Sequence, residues 1–330
     1  HHFFFFFTIE WFKIRNVSLK TEDDGRMFPV TDSSQTIIDC LMKEVNASGI
    51  EIMMNRDVKN ISVNRDEFEI MFADGKTIAA DFICIASGGF PKAVQFNWLK
   101  EIGHTVVNPV PSLFTFNMPG NPVTGLMGVV AENVTVKIAG TKLAEQGPLL
   151  ITHWGMSGPA ILKLSALGAI ELAQKKYEFT ITVNWVPDYN EQTVKEKILR
   201  IRFELATQKM INRNPFALPQ RLWQFLLQQC SIHEDIRWAD LPAKEQNKLV
   251  KILCTHEFVV KGKTTFKEEF VTAGGIALNE IDYNTMQSKV LPNLYFAGEV
   301  IDVDGVTGGF NFQNAWTTGY IAAKAIAASA

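Results

Sequence analysis

LYFAGEVIDVDGVTGGFNFQNAWTTGYIAAKAIA, residues 294–327, reads as four parts in a row: a short apolar strand, an acid where the strand ends, a glycine-rich turn and a long helix rich in small residues. Leu294, Tyr295, Phe296 and Ala297 are apolar enough for a buried strand, and Gly298 and Glu299 stand where it leaves the sheet. In open α/β sheets, ligands bind at that carboxyl edge. An ionised carboxylate only accepts hydrogen bonds, which suits it to the hydroxyls of a sugar or sugar alcohol. Gly305, Gly308 and Gly309 allow positive φ and a close backbone approach to a flat ligand. The helix beginning at Phe310 offers unpaired N–H groups and the positive end of its dipole to an electron-rich group.

A carboxylate for hydroxyls beside a helix start for negative charge matches the needs of a flavin, whose ribityl chain carries the hydroxyls and whose reduced ring carries charge along its pyrimidine edge. A plainer reading stays open at this point: a strand, a turn and a packed helix, with Glu299 exposed on a surface loop.

Upstream, Ser34 to Ser48 predicts an amphipathic helix with Ile37, Ile38, Leu41, Met42 and Val45 on one face, Ser33 or Ser34 as N-cap and Gly49 as the stop. GIEIMMN, RDVKNISV and EFEIMFADG read as strands with a turn at Asp74-Gly75. Ala79 to Ala86 reads as one strand buried on both faces, ending in Ser87-Gly88-Gly89. Together these predict an α/β arrangement with a parallel pairing.

From about Asn108 the character changes to short strand-like runs punctuated by Pro and Gly, expected to form an antiparallel sheet or small barrel. Then come a helix starting near Ser157 with Pro159 in its first turn, a strand at YEFTITVNW, and charged helical stretches at 191–208, 219–229 and 242–254. Segment 108–270 is expected to be an insertion between 1–107 and 271–330.

With 32 Lys and Arg scattered among 35 Asp and Glu, the net charge is -3, and a nucleic-acid or anionic-membrane partner is not expected. The four cysteines form no metal-binding spacing and are expected to be small buried apolar residues, a usage that fits a reducing cytoplasm. No apolar run reaches the ~18 residues of a membrane span. The opening HHFFFFFTIEWF lacks the marks of a signal peptide, is an unusual natural start, and is set aside from fold reasoning.

Taken together, GRMFPVTDSSQTIIDCL, ICIASGG, THWGMSGPAIL, VTAGGIALNEIDYNTMQSK and LYFAGEVIDVDGVTGGFNFQNAWTTG resemble the bacterial FAD-dependent oxidoreductases that include aminoacetone-oxidase-like and bile-acid-reductase-like flavoproteins, over about Thr8 to Ala328. The resemblance implies an α/β fold: a two-dinucleotide-binding-domain FAD domain of the glutathione-reductase type, interrupted by a β-barrel-like and helical domain that shapes a small-molecule substrate pocket. It implies FAD as cofactor, with NAD(P)H one candidate electron donor. Gly298 and Glu299 would bind the ribityl chain; Gly308, Gly309, Phe310, Asn311, Phe312 and Gln313 would line the isoalloxazine; Val58 would hold the adenine through its backbone; Ala86, Ser87 and Gly88 would lie beside the phosphates and ribose.

The sequence departs from this pattern in one respect: no G-x-G-x-x-G occurs in it, so the N-terminal βαβ unit that places the pyrophosphate on a helix start is expected to be missing. That gives weight to a rival reading, a truncated, flavin-free and non-catalytic member. His153 and Arg26 are read as structural or surface groups, the Asp302/Asp304 pair as too sparse for a metal, and Ser157 as lacking the hydrolase elbow.

Overall fold

The computed structural model describes residues 5–22, 25–64, 67–264, 271–306 and 309–330. The chain divides into two compact units, His1–Pro111 together with Val271–Ala330, and Ser112–Phe270.

In the discontinuous unit, Ser34–Ala47 forms the predicted helix, and the Ser33 hydroxyl caps it by accepting from Gln35 N. Its apolar face is only partly covered: Cys40 is buried, whereas Ile38 and Met42 are 48% and 40% exposed. GIEIMMN is not a strand. Its Ile50, Ile52, Met53 and Met54 are all exposed, with no alternation for a sheet to exploit. The run expected as one strand at 79–86 breaks at Asp81-Phe82 into Thr77–Ala80 and Ile83–Ile85, which join different sheets. The second is buried on one face only: Ile83 and Ile85 are inside while Cys84 is exposed, so three of the four cysteines, not all, are buried.

Ile83–Ile85 pairs in parallel with Leu294–Phe296, in the register Leu294↔Ile83 and Phe296↔Ile85. Antiparallel partners Gln287–Ser288 and Ile281–Asp282 complete that four-stranded sheet. Its core gathers Phe96, Leu99, Leu294, Tyr295 and Phe296, all essentially inaccessible. Val271–Ile276 pairs with Val106–Ser112, and a bridge from Ile276 to Ile301 brings it to the turn after Glu299. The terminal helix, Phe310–Ser329, packs against the strand end, and Phe12 of the first helix, Phe5–Lys13, meets its Trp316 edge-on. This first helix takes up the opening segment, for which the sequence predicts no element.

The other unit is a seven-stranded antiparallel sheet with helices against it. The two ends of its strand order, His256–Lys261 and Lys263–Thr264, are consecutive in sequence and meet at Gly262. Gly262 donates to Tyr177 O (2.8 Å) and accepts from Asn117 N (3.1 Å), which draws both edges together into a barrel-like closure. A φ of +95° at this corner is conformational space that glycine reaches without strain. Trp185, Trp223 and Trp238 fill the core, the last two stacked 6.2 Å apart. The helix predicted near Ser157 runs Pro159–Leu167, with Ser157 itself ending a strand.

His256 is half-buried at that core against Trp185, Phe225 and Phe258, and its Nδ1 accepts the Trp185 indole N–H at 3.2 Å. Burial pushes its pKa down from 6.5 to about 4. The unfolded chain therefore binds this proton more readily than the folded one, and the stabilisation present above pH 6.5 is lost as pH falls toward 4. At ~1.4 kcal/mol per pKa unit the loss is about 3 kcal/mol. Urea midpoints measured from pH 7 to pH 4 are expected to fall over that interval, and much less in His256→Phe; equal slopes in the two proteins would contradict this.

Candidate functional site

The parallel pair sets the site's frame. Ile83–Ile85 and Leu294–Phe296 end on the same edge, where Ala297 N donates to Ile85 O at 2.9 Å. Ala86, Ser87 and Gly88 follow the first strand, Gly298 and Glu299 the second. Gly88 has φ +75° and Gly298 φ +76°, so both turns use left-handed backbone. Gly298 N donates to Thr318 Oγ1 (2.8 Å), and a Cβ on Gly298 would lie 3.4 Å from that of Ala315, so the terminal helix is seated against the strand end.

The Glu299 carboxylate is fixed rather than loose at the surface. Its Oε1 accepts from Thr272 N at 2.8 Å. Gly89 completes the contact: a Cβ there would fall 2.9 Å from Thr272 Cβ and 3.0 Å from Glu299 Oε1, so only glycine lets the three segments close. The Thr272 hydroxyl, in a residue 1% exposed, has no hydrogen-bond partner among the described residues.

The terminal helix opens on Gly309 at φ +88°, and no side chain among the described residues caps it. Its first N–H groups stay available to a ligand. Asn311 braces the approach: its Oδ1 accepts from Gly305 N (2.8 Å) and its Nδ2 donates to Gly305 O (3.1 Å). Gly305 is glycine for want of space, since a Cβ would meet that of Phe310 at 2.8 Å. Asp302, half-buried on the same loop, has its pKa raised by burial and by Asp304, against the Gly274 backbone N–H that favours its charged form.

A description of the HI0933-like protein Rossmann domain matches residues 2–325. The chain belongs to that family. The ribosomal RNA dihydrouridine synthase of Escherichia coli (strain K12) is 29% identical over 314 residues, 92% of this chain and 75% of that protein. The 3-dehydro-bile acid delta(4,6)-reductase of Clostridium scindens is 26% identical over 339 residues, 97% of this chain and 80% of that protein. Against the solved structure of the tetracycline destructase Tet(51), the identity is 12% and the TM-score 0.29, over 94% of this chain and 65% of that one, too low to support an assignment.

Family membership agrees with the α/β reading, and the aminoacetone-oxidase side of the resemblance gains no support from these relatives. The parallel pairing puts Ala86, Ser87 and Gly88 on the same edge as Gly298 and Glu299, and the terminal helix meets that edge at Ala315 and Thr318; Gly308 lies outside the described residues. Val58 begins a strand of a separate three-stranded sheet, paired with Phe72. Phe310 and Phe312 are 59% and 67% exposed, Phe312 stacking on Trp316. Gln313 donates to Thr8 Oγ1 and Thr317 Oγ1, both at 3.0 Å, so its amide ties the first helix to the last. Arg26 lies over the Phe28 ring, and His153 is exposed against Trp154. Sequence reading missed Gly89 and Thr272. The Gly88-Gly89 doublet was a signal for the first; a threonine opening a glycine-rich strand gave none for the second.

Proposed function

We propose that the chain is an FAD-dependent oxidoreductase that reduces a carbon–carbon double bond conjugated to a carbonyl. The observation that carries the reading is the Glu299 carboxylate, held by the Thr272 amide at the end of a parallel strand against which the terminal helix is seated. Two features favour the fit of a flavin's ribityl and ring end: a buried polar hydroxyl in want of a partner at Thr272, and Gly309 at the helix start, where nothing lies within 4 Å of the place a Cβ would take.

The bound flavin would supply the hydride through its N5. The chain's own residues would hold and polarise. Glu299, one oxygen committed to Thr272, would keep the other for ribityl hydroxyls. The N–H groups of Phe310 and its neighbours would favour negative charge on the ring's pyrimidine edge. Asn311 would keep that helix start in register with the loop carrying Asp302.

The substrate class comes from the two relatives. A dihydrouridine synthase saturates the uracil double bond beside a carbonyl, and a delta(4,6)-reductase of a 3-dehydro-bile acid removes double bonds in line with a ketone. Both names describe the same bond change. A small enone is preferred over RNA because Lys and Arg are scattered along a chain of net charge -3, whereas RNA affinity draws on clustered cations. NAD(P)H is the proposed donor.

The test is a spectrum of the purified chain after excess FAD and desalting. Retained bands near roughly 370 and 450 nm are expected, followed by bleaching with NAD(P)H without oxygen and recovery of colour on adding a cyclic enone. Absence of retained or titratable flavin would favour the flavin-free reading. Recovery with a uridine-containing RNA but not the enone would move the substrate class.

A further inference from the structure

We propose that Thr272 is a ligand-binding residue whose hydroxyl pairs with a polyol hydroxyl or phosphate oxygen of the molecule that Glu299 holds. The inference rests on the flavin reading above and adds a residue to it.

A buried hydroxyl with no partner costs about 1–3 kcal/mol, and folded proteins keep few of them without a use. Thr272 is 1% exposed, and its Oγ1 is one of few buried side-chain atoms among the described residues without a partner. It does not sit in an unrelated part of the core. Its own backbone N–H anchors Glu299 Oε1 at 2.8 Å. A single point, the place a Cβ would take on Gly89, lies 3.0 Å from Thr272 Oγ1 and 3.0 Å from Glu299 Oε1. Hydroxyl and carboxylate thus border the same spot at the carboxyl edge of the parallel strands. A hydroxyl both donates and accepts, so it complements a carboxylate that only accepts: the pair can read a polyol together, and the hydroxyl alone can donate to a phosphate oxygen, which the carboxylate would repel.

The arrangement predicts opposite signs for two measurements on one variant. Thr272→Val keeps the shape and the backbone N–H and removes only the hydroxyl. Without ligand, its thermal midpoint is expected to match or exceed that of the parent, because an unsatisfied group is gone. Its affinity for flavin, read by quenching of flavin fluorescence, is expected to drop about tenfold or more, the value of one buried hydrogen bond. Thr272→Ser should retain affinity within about threefold.

Titration with riboflavin, FMN and FAD separates the two sources of oxygen. A penalty already present with riboflavin assigns the partner to the polyol, and one confined to FMN and FAD assigns it to phosphate. Equal flavin affinity in Thr272→Val and the parent would overturn the inference while leaving the flavin reading intact. So would parallel losses of midpoint and affinity, the mark of a merely structural threonine. Failure of the parent chain to bind any of the three flavins would overturn both.

Discussion

Gly155→Ala is expected to cost about 4 kcal/mol or more and to unfold the barrel-like unit at urea concentrations the parent tolerates. The strand Gly155–Ser157 pairs with Thr115–Asn117, with Gly155 opposite Asn117. A Cβ on Gly155 would stand 2.0 Å from Phe116 O and 3.0 Å from Met118 N. Both are backbone atoms of the neighbouring segment, and Met118 N is already tied to Trp154 O at 2.7 Å, so neither can swing aside as a side chain would. The added methyl must push two paired strands apart in a region whose core is close-packed. Gly125→Ala is the matched control: a Cβ there meets nothing within 4 Å, and the expected change is within about 0.5 kcal/mol. Equal midpoints for the two variants would show that the strand pair is not held as described.

Removing the carboxylate of Glu299 is expected to have the largest effect on ligand binding. Glu299→Ala takes away a charged acceptor, and a hydrogen bond to a charged group is worth about 1.5–3 kcal/mol, or ten- to hundredfold in flavin affinity. It also leaves the Thr272 N–H, in a residue 1% exposed, without its partner, so stability is expected to fall by about 1–3 kcal/mol. Glu299→Gln separates the two effects. Its amide oxygen can still accept from Thr272 N, preserving stability, while the loss of charge weakens flavin by a smaller factor of about ten. Isothermal titration with FAD together with thermal midpoints for both variants would decide the matter. Unchanged FAD affinity in Glu299→Ala would remove the carboxylate from the flavin-binding residues; absence of FAD binding in the parent as well would remove the flavin reading.

Local signals carried much of the architecture into the sequence. The helix at Ser34–Ala47 was readable because its cap, its period and its stop agree, and Leu294–Ala297 because four successive apolar residues precede a glycine. The reading faltered where apolar residues lack a partner. GIEIMMN has strand-like residues that no sheet takes up, and Ala79 to Ala86 breaks where Asp81 interrupts the run.

Within the site, the sequence exposed residues adjacent along the chain, Gly298 with Glu299 and Gly309 with the helix start. It hid those that meet across long separations. Thr272 reaches Glu299, and Gly89 reaches both, only through strand pairing. Asn311 and Gln313 were readable as residues at the helix start; their internal duties to Gly305 and Thr8 were not.

The pairing of Ile83–Ile85 with Leu294–Phe296 spans about 210 residues, and it imposes an order on biosynthesis. Chain emerges from a ribosome at about 5–20 residues per second, and domains fold as units once complete. The unit Ser112–Phe270 is whole before Val271 has been added. The strand Ile83–Ile85 must wait with its edge unpaired until residues 294–296 appear, and Glu299 and the terminal helix arrive later still. The candidate site is thus assembled last, after the unit Ser112–Phe270 has had about a second or more in which to fold.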